Sequence, residues 1–164
     1  GDIWKITGGE PMLRQEPLLK FVEAFHKKYG FTPTIDFETN GTILPHQDWL
    51  EKWNATFTVS PKLSNNGDPK SKRYIPHVLR WHSNIHSCFK FVVNDQALFS
   101  ELFVDYINDP NIRVPKNRVW IMVCAGSREE HIKNAVDVVE LCKLHGFKFS
   151  PRLHLMVWDK ALKV

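Results

Sequence analysis

Cysteine is scarce. Cys88, Cys124 and Cys142 are the only three in 164 residues, and no CxxC or CxxxC pair exists among them. That spacing argues against a disulfide framework and against a local metal or cluster site. Long apolar runs are missing too: none reaches the ~18–20 residues that span a bilayer. With no visible signal peptide, the expected location is cytoplasmic, without a membrane partner. Neither charge sign dominates, since 22 Lys and Arg face 18 Asp and Glu for a net +4. A mild basic excess with six Trp can suit nucleic acid. The densest basic group, Lys70, Lys72 and Arg73, however, lies in a loop-like region, and nucleic acid is not an expected partner. No repeat of 20–50 residues and no linker is present, so residues 1–164 read as a single domain. Disorder is excluded by a hydrophobic content of 43%, and the length allows a sizeable core.

The chain is organised around Ile3-Trp4-Lys5-Ile6-Thr7-Gly8-Gly9-Glu10-Pro11. A β-rich run ends in two glycines, which lack a Cβ and let a backbone come close to a ligand. In open α/β sheets, ligands sit at that end of the strands. Glu10 offers an anionic acceptor, which favours a ligand with a positive end, such as an amino acid, over a phosphate. A bare Gly-Gly-Glu is also met in ordinary strand-to-helix turns. The chain enters this strand almost at once, which reads as a chain lacking its upstream part.

Strands are expected at 3–7, 34–37, 55–59, 89–93 and 119–123, with a last one at Leu153 to Trp158 containing His154. Between them, a helix is expected over 17–29, with Pro17 at its first position and Gly30 just past its end. A short helix falls within 45–53. Residues 63–80 read as a polar loop that could act as a lid. His82 and His86 would share a face if helical and could then bind zinc; otherwise they are exposed or hydrogen-bonded histidines. Asn94 or Asp95 caps a helix carrying Leu98, Leu102 and Tyr106. Ser127-Arg128-Glu129-Glu130 is a capping box opening a helix whose stripe Ile132, Ala135, Val136, Val139 and Cys142 is core. The alternation implies an α/β fold, a parallel sheet of about six strands with outer helices.

The Gly8-Gly9-Glu10-Pro11 run resembles the GGEP motif of radical S-adenosylmethionine enzymes. With it, Glu38-Thr39-Asn40-Gly41-Thr42, Ser60-Pro61-Lys62, Lys90-Phe91-Val92-Val93 and Ser150-Pro151-Arg152-Leu153-His154 follow in the order found in the 7-carboxy-7-deazaguanine synthase family. The resemblance covers nearly the whole chain. It implies part of a partial (β/α) barrel, the C-terminal portion of a radical S-adenosylmethionine core. The implied activity is a carbon–nitrogen lyase of queuosine and 7-deazapurine biosynthesis. It converts 6-carboxy-5,6,7,8-tetrahydropterin to 7-carboxy-7-deazaguanine with S-adenosylmethionine, a [4Fe-4S] cluster, Mg²⁺ and an external electron donor.

Carried over residue by residue, the resemblance places Gly8, Gly9, Glu10 and Pro11 at the methionine end of the cofactor. Glu38, Asn40, Ser60 and Lys62 join them as cofactor-binding residues, and Thr7, Thr39 and His154 reach the pterin substrate. The family's cluster cysteines lie upstream of this motif, where only seven residues precede Gly8 and none is cysteine. Metal ligands are therefore not expected in this chain, which alone would be inactive. A second reading is a non-catalytic module that binds S-adenosylmethionine or a pterin without the cluster. The sheet edge left bare would favour self-association, with a homodimer as the expected form.

Overall fold

The computed structural model describes residues 2–161. Six strands form one all-parallel sheet in sequential order: β1 (Ile3–Ile6), β2 (Thr34–Thr39), β3 (Thr56–Val59), β4 (Cys88–Val93), β5 (Val119–Val123) and β6 (Lys148–Ser150). Parallel neighbours need crossovers, and right-handed crossovers that always step the same way put the intervening helices on one face. The sheet is thus singly wound, as in part of a barrel, with β1 and β6 as its outer strands among the described residues.

The strands record this asymmetry. In β2, Ile35, Phe37 and Thr39 are buried, while Asp36 and Glu38 are half-exposed. Phe89, Phe91 and Val93 of β4 are buried, whereas Lys90 and Val92 are half-exposed. In β5, Val119, Ile121 and Val123 alternate with Trp120 and Met122 in the same way. Strands covered on both faces read as continuous apolar runs; this alternation marks a sheet covered on one.

The covered face holds the core. Phe37, Phe57, Phe89 and Phe91 pack with Trp49, Leu79, Leu102 and Tyr106 under the helices. Helix α1 (Gln15–Tyr29) buries Leu19 and Val22 and ends at Gly30, whose φ of 74° lets its N–H bond the His26 carbonyl. Pro17 is its third residue and not its first, because a 3-10 turn (Pro11–Arg14) leads directly into the helix. Pro is tolerated there because N–H groups of the first turn have no intrahelical partner. Helix α2 (Asp48–Glu51) inserts Trp49. Beside β1, Ile3, Phe21, Tyr29 and Phe31 are exposed.

Three further expectations are corrected. Residues 63–80 are not a loose loop: a 3-10 turn (Ser64–Asn66), α3 (Lys70–Arg73) and α4 (Pro76–Asn84) occupy most of them. The turn signal at Gly67 is real, with a φ of 84°, but Pro76 then opens a helix that buries Val78, Leu79 and His82. His82 and His86 are the hydrogen-bonded and exposed histidines of the other expectation: α4 stops at Asn84, His82 is buried against Ser87 Oγ (3.1 Å) and His86 is exposed.

The run Leu153 to Trp158 is helix α7 and not a strand. Lys148–Ser150 pairs with β5 instead, and Pro151, which has no N–H for the ladder, ends that strand. On α6 (Arg128–His145), capped by Ser127 as expected, the buried row is His131, Val138 and Cys142. Ile132 and Val136 are 58% and 65% exposed. The helix carries two apolar rows, and a histidine heads the one that packs on the sheet. Helix α5 (Gln96–Leu102) is capped by Asp95 and runs on through a π-turn (Phe103–Ile107).

Candidate ligand site at the carboxyl rim of the sheet

Three segments of the rim, at the ends of β1, β2 and β3, meet in one cleft of about 270 Å³. It is lined by Thr7, Gly9, Glu10, Glu38, Thr39, Asn40, Ser60 and Lys62. These were all named from sequence. Gly8 and Pro11 flank the cleft, and Pro11 is buried at the start of the 3-10 turn. Gly8 and Gly9 have φ of 90° and 57°, and nothing lies within 4 Å of where either Cβ would stand. Their need for glycine is one of backbone conformation, and the space before them is open.

Glu10 ties the rim together. Its carboxylate accepts from the Met12 N–H (3.1 Å), the Thr39 hydroxyl (2.7 Å) and the Asn40 N–H (2.8 Å). Thr39 is buried, and its oxygen also accepts from the Gly41 N–H (3.2 Å). Asn40 Oδ1 accepts from the N–H and hydroxyl of Thr42, which leaves its amide nitrogen without a bond among the described residues. Gly41, at φ 75°, is needed for closeness as well: a Cβ there would meet Val59 at 2.8 Å. Gln15 fastens the next segment, donating to the Leu44 carbonyl and accepting from the His46 N–H.

Ser60 is buried and its N–H bonds the Thr39 carbonyl (2.7 Å). The Lys62 carbonyl accepts from Arg73 (3.2 Å) and the Tyr106 hydroxyl (3.1 Å). Among the described residues no ion pair holds the Lys62 ammonium. Arg73, buried, also pairs with Glu101 at 2.6 Å. Burial alone would raise the Glu101 carboxyl, but bonds from Ser64 and the Arg73 charge outweigh it and hold it below the usual range. Arg73 is therefore a strut for the Lys62 segment and not part of a solvated basic patch. Sequence reading had no signal for it, since its partners lie 11 and 28 residues away.

Glu38 Oε1 accepts from Lys90 Nζ on β4. In sequence, Lys90 belongs to the Lys90-Phe91-Val92-Val93 motif without a role of its own. The alternating pattern of β4, with a lone cation between buried phenylalanines, was the signal that could have found it.

His154 does not line the cleft. It is exposed on α7, close enough to bear on His131. Burial first, and then the Arg152 and His154 charges, push the His131 imidazole down. A larger groove of about 620 Å³ opens between the start of α5 and α6. Asp95, Asp137 and Glu140 make it acidic, and it lies in the helical layer, away from the strand-end rim.

Among the described residues no three His, Cys, Asp or Glu side chains gather to hold a metal. Cys88 starts β4, Cys124 follows the end of the neighbouring β5, and Cys142 is buried in α6. Cys88 and Cys124 are separated along the strands by roughly 20 Å. These thiols do not fit an iron–sulfur cluster, which needs converging thiolates. Among the described residues no helix is long and apolar enough to cross a membrane.

Fold and rim together define an α/β protein with a singly wound parallel sheet and a polar cleft at the strands' carboxyl ends. No family model matches the chain. Its curated relatives are more specific. The 7-carboxy-7-deazaguanine synthase of Pyrobaculum aerophilum is 32% identical over 160 residues, covering 95% of this chain and 65% of that one. Its counterpart in Hyperthermus butylicus is 32% identical, covering 93% of this chain and 63% of that protein. The Halobacterium salinarum synthase is 28% identical, covering 95% and 65%. Over nearly all of its length this chain is a homologue of the 7-carboxy-7-deazaguanine synthases. It spans slightly less than two thirds of the length of these relatives.

Proposed function

We propose that this chain supplies the ligand-holding rim of a radical S-adenosylmethionine 7-carboxy-7-deazaguanine synthase. The reaction is the conversion of 6-carboxy-5,6,7,8-tetrahydropterin to 7-carboxy-7-deazaguanine, a step of queuosine and 7-deazapurine biosynthesis. One observation carries the reading: residues from three motifs separate in sequence line a single cleft. Kinship to synthases of that name supports it.

In this reading the Gly8-Gly9-Glu10-Pro11 turn, with Glu38, Asn40, Ser60 and Lys62, holds S-adenosylmethionine. The donor set fits: open backbone and carboxylate oxygen for an ammonium, the free Lys62 cation for a carboxylate, and hydroxyl and amide groups for a ribose. When bound, the cofactor supplies the 5′-deoxyadenosyl group that abstracts hydrogen. This chain's residues bind and orient. Glu10 keeps the glycine turn fixed against β2, and Thr7, Thr39 and His154 belong to the substrate side. The cluster and Mg²⁺ that the family uses are not held by the described residues, so no redox step is assigned to them. That same misfit favours a second reading, a module that binds S-adenosylmethionine or a pterin without radical chemistry.

The test is calorimetric titration of the chain with S-adenosylmethionine, wild type against Lys62→Met and Ser60→Ala. Saturable binding weakened at least fivefold by either variant supports the rim. Absence of binding by a folded chain sinks it. To separate the two readings, the protein joined to the cysteine-bearing segment is supplied with iron, sulfide, Mg²⁺, reductant and the tetrahydropterin. Formation of 7-carboxy-7-deazaguanine by mass spectrometry establishes the synthase, and a folded, inactive protein that still binds establishes the module.

A further inference from the structure

Lys62 leaves the sheet between buried neighbours. Ser60, Pro61 and Leu63 are buried, while Lys62 is exposed and lines the cleft. Its backbone belongs to no strand or helix. Yet its carbonyl takes two donors, Arg73 Nη1 at 3.2 Å and the Tyr106 hydroxyl at 3.1 Å, from 11 and 44 residues along the chain. Both lone pairs of that oxygen are thus engaged.

The donors are themselves fixed. Arg73 Nη1 also meets Glu101 Oε1 at 2.6 Å, with side-chain exposures of 8% and 15%. Arg73 Nε donates to the Asp68 carbonyl at 3.3 Å. Glu101 accepts in turn from the Ser64 N–H, at 3.1 and 3.0 Å from its two oxygens. Lys62, Arg73, Glu101 and Ser64 therefore close a ring around the segment that leaves β3. Tyr106 is fully buried, its ring against Phe91 and Tyr74. It stands in the π-turn after α5, a form of helix met mostly at functional sites. Burying a guanidinium is costly, and a segment that needed only to stay folded is already anchored by Leu63 in the core. What the ring adds is placement. A lysine ammonium hangs on a flexible four-carbon stem, so where its backbone stands decides what the cation can reach.

We infer that Arg73 and Tyr106 are positioning residues: by holding the Lys62 carbonyl they aim its ammonium at the carboxylate of S-adenosylmethionine. The inference rests on the proposed function for the identity of the ligand, and on the ring of bonds for the placement. Neither residue lines the cleft, so both act through Lys62. Loss of the ring withdraws the cation and leaves Glu10 and Asn40, which are held from β2, in place.

The test titrates the full chain with two probes, S-adenosylmethionine and 5′-methylthioadenosine, which keeps the nucleoside and lacks the amino-acid end. Arg73→Gln strips Glu101 of its partner and can unfold the segment. Tyr106→Phe, which removes one hydroxyl and keeps the packed ring, therefore carries the decision, with folding checked by circular dichroism and melting. The expected result is a loss of S-adenosylmethionine affinity of about fivefold or more in both variants, with partial rescue in Arg73→Lys. Methylthioadenosine affinity should stay within about twofold, and in a Lys62→Met background the same substitutions should cost no more than about twofold further. A folded Tyr106→Phe that binds S-adenosylmethionine as wild type does overturns the inference. So does an equal loss of both probes, or an undiminished loss in the Lys62→Met background, either of which would make the ring a plain support. Nitrogen-15 relaxation of the Lys62 amide without ligand separates this inference from the cofactor reading. An amide that loosens in Tyr106→Phe, in a chain whose wild type binds neither probe, keeps the positioning and sinks the cofactor. An amide unchanged in shift and order overturns the positioning whatever binds.

Discussion

The two faces of the sheet are made by the same strands and do opposite work. Toward the helices stand Phe37, Phe57, Phe89, Phe91 and Ile121, all essentially inaccessible. Toward the open side stand Lys5, Asp36, Glu38, Thr58, Lys90 and Trp120, paired or bonded to one another across strands. Burial of apolar area supplies stability in proportion to that area. Half-exposed ion pairs supply little. The comparison teaches that apolar burial and polar cross-strand pairing are divided along these strands by residue parity, and that a one-residue slip would exchange them.

The largest expected effect lies on the covered face. Phe91→Ala should cost about 3–5 kcal/mol, from lost transfer energy and the cavity left among Tyr106 and its neighbours. Lys90→Met, one residue away, should change stability by less than about 1 kcal/mol. Urea unfolding followed by fluorescence measures both. Similar costs for the two would erase the division.

Glycines sharpen it next. Gly41→Ala combines a positive φ with a Cβ 2.8 Å from Val59 and 3.1 Å from Leu79, on the packed side. The conformational part is about 1–2 kcal/mol and the overpacking adds about 1–3. Gly8→Ala has the same conformational cost and no neighbour within 4 Å. Its unfolding should shift by the smaller amount alone, while S-adenosylmethionine binding suffers more than in Gly41→Ala.

Legibility followed the same division. Five strands and the long helices could be read because each carries a strong local mark: alternation, Gly30 and Gly146 at helix ends, Ser127 at a cap. The cleft was legible because its members are clustered in short motifs at strand ends. What escaped depended on partners distant in sequence. Arg73 looked like part of a solvated basic run, yet it is buried by Glu101. Leu153 to Trp158 is apolar enough for a strand, but the place beside β5 is taken by Lys148–Ser150. Of the stripe on α6, Ala135 and Cys142 pack on the core and Ile132 and Val136 face outward; His131 escaped because it is polar, and composition alone does not reveal that a histidine is buried.

A buried histidine on the covered side gives the next prediction. His82 is fully buried, and burial pushes its imidazole from 6.5 down to about 3. The folded state holds it neutral, while the unfolded chain protonates it below 6.5. Stability is thus intact above pH 6.5 and falls as pH drops toward 3, by about 1.4 kcal/mol per pH unit. Between pH 6.5 and 5 the loss is about 2 kcal/mol. Denaturation midpoints across that range check it, and His82→Gln should flatten the slope. A slope unchanged in the variant would place the acid sensitivity elsewhere, His131 first.

The smallest effect belongs to Lys5. It pairs with Asp36 and reaches the Thr58 hydroxyl at 3.3 Å, on the open face but away from the cleft. Its side chain is 44% exposed and that of Asp36 20%, so solvent screens the pair. Lys5→Met should therefore move stability by less than about 1 kcal/mol and leave S-adenosylmethionine and pterin binding alone. This variant separates place from charge. It is a cation like Lys62, and differs in being paired and in standing outside the cleft lining. Were Lys5→Met to weaken S-adenosylmethionine binding as Lys62→Met is expected to, the open face would act through its overall charge, and the cleft would lose its claim to be local.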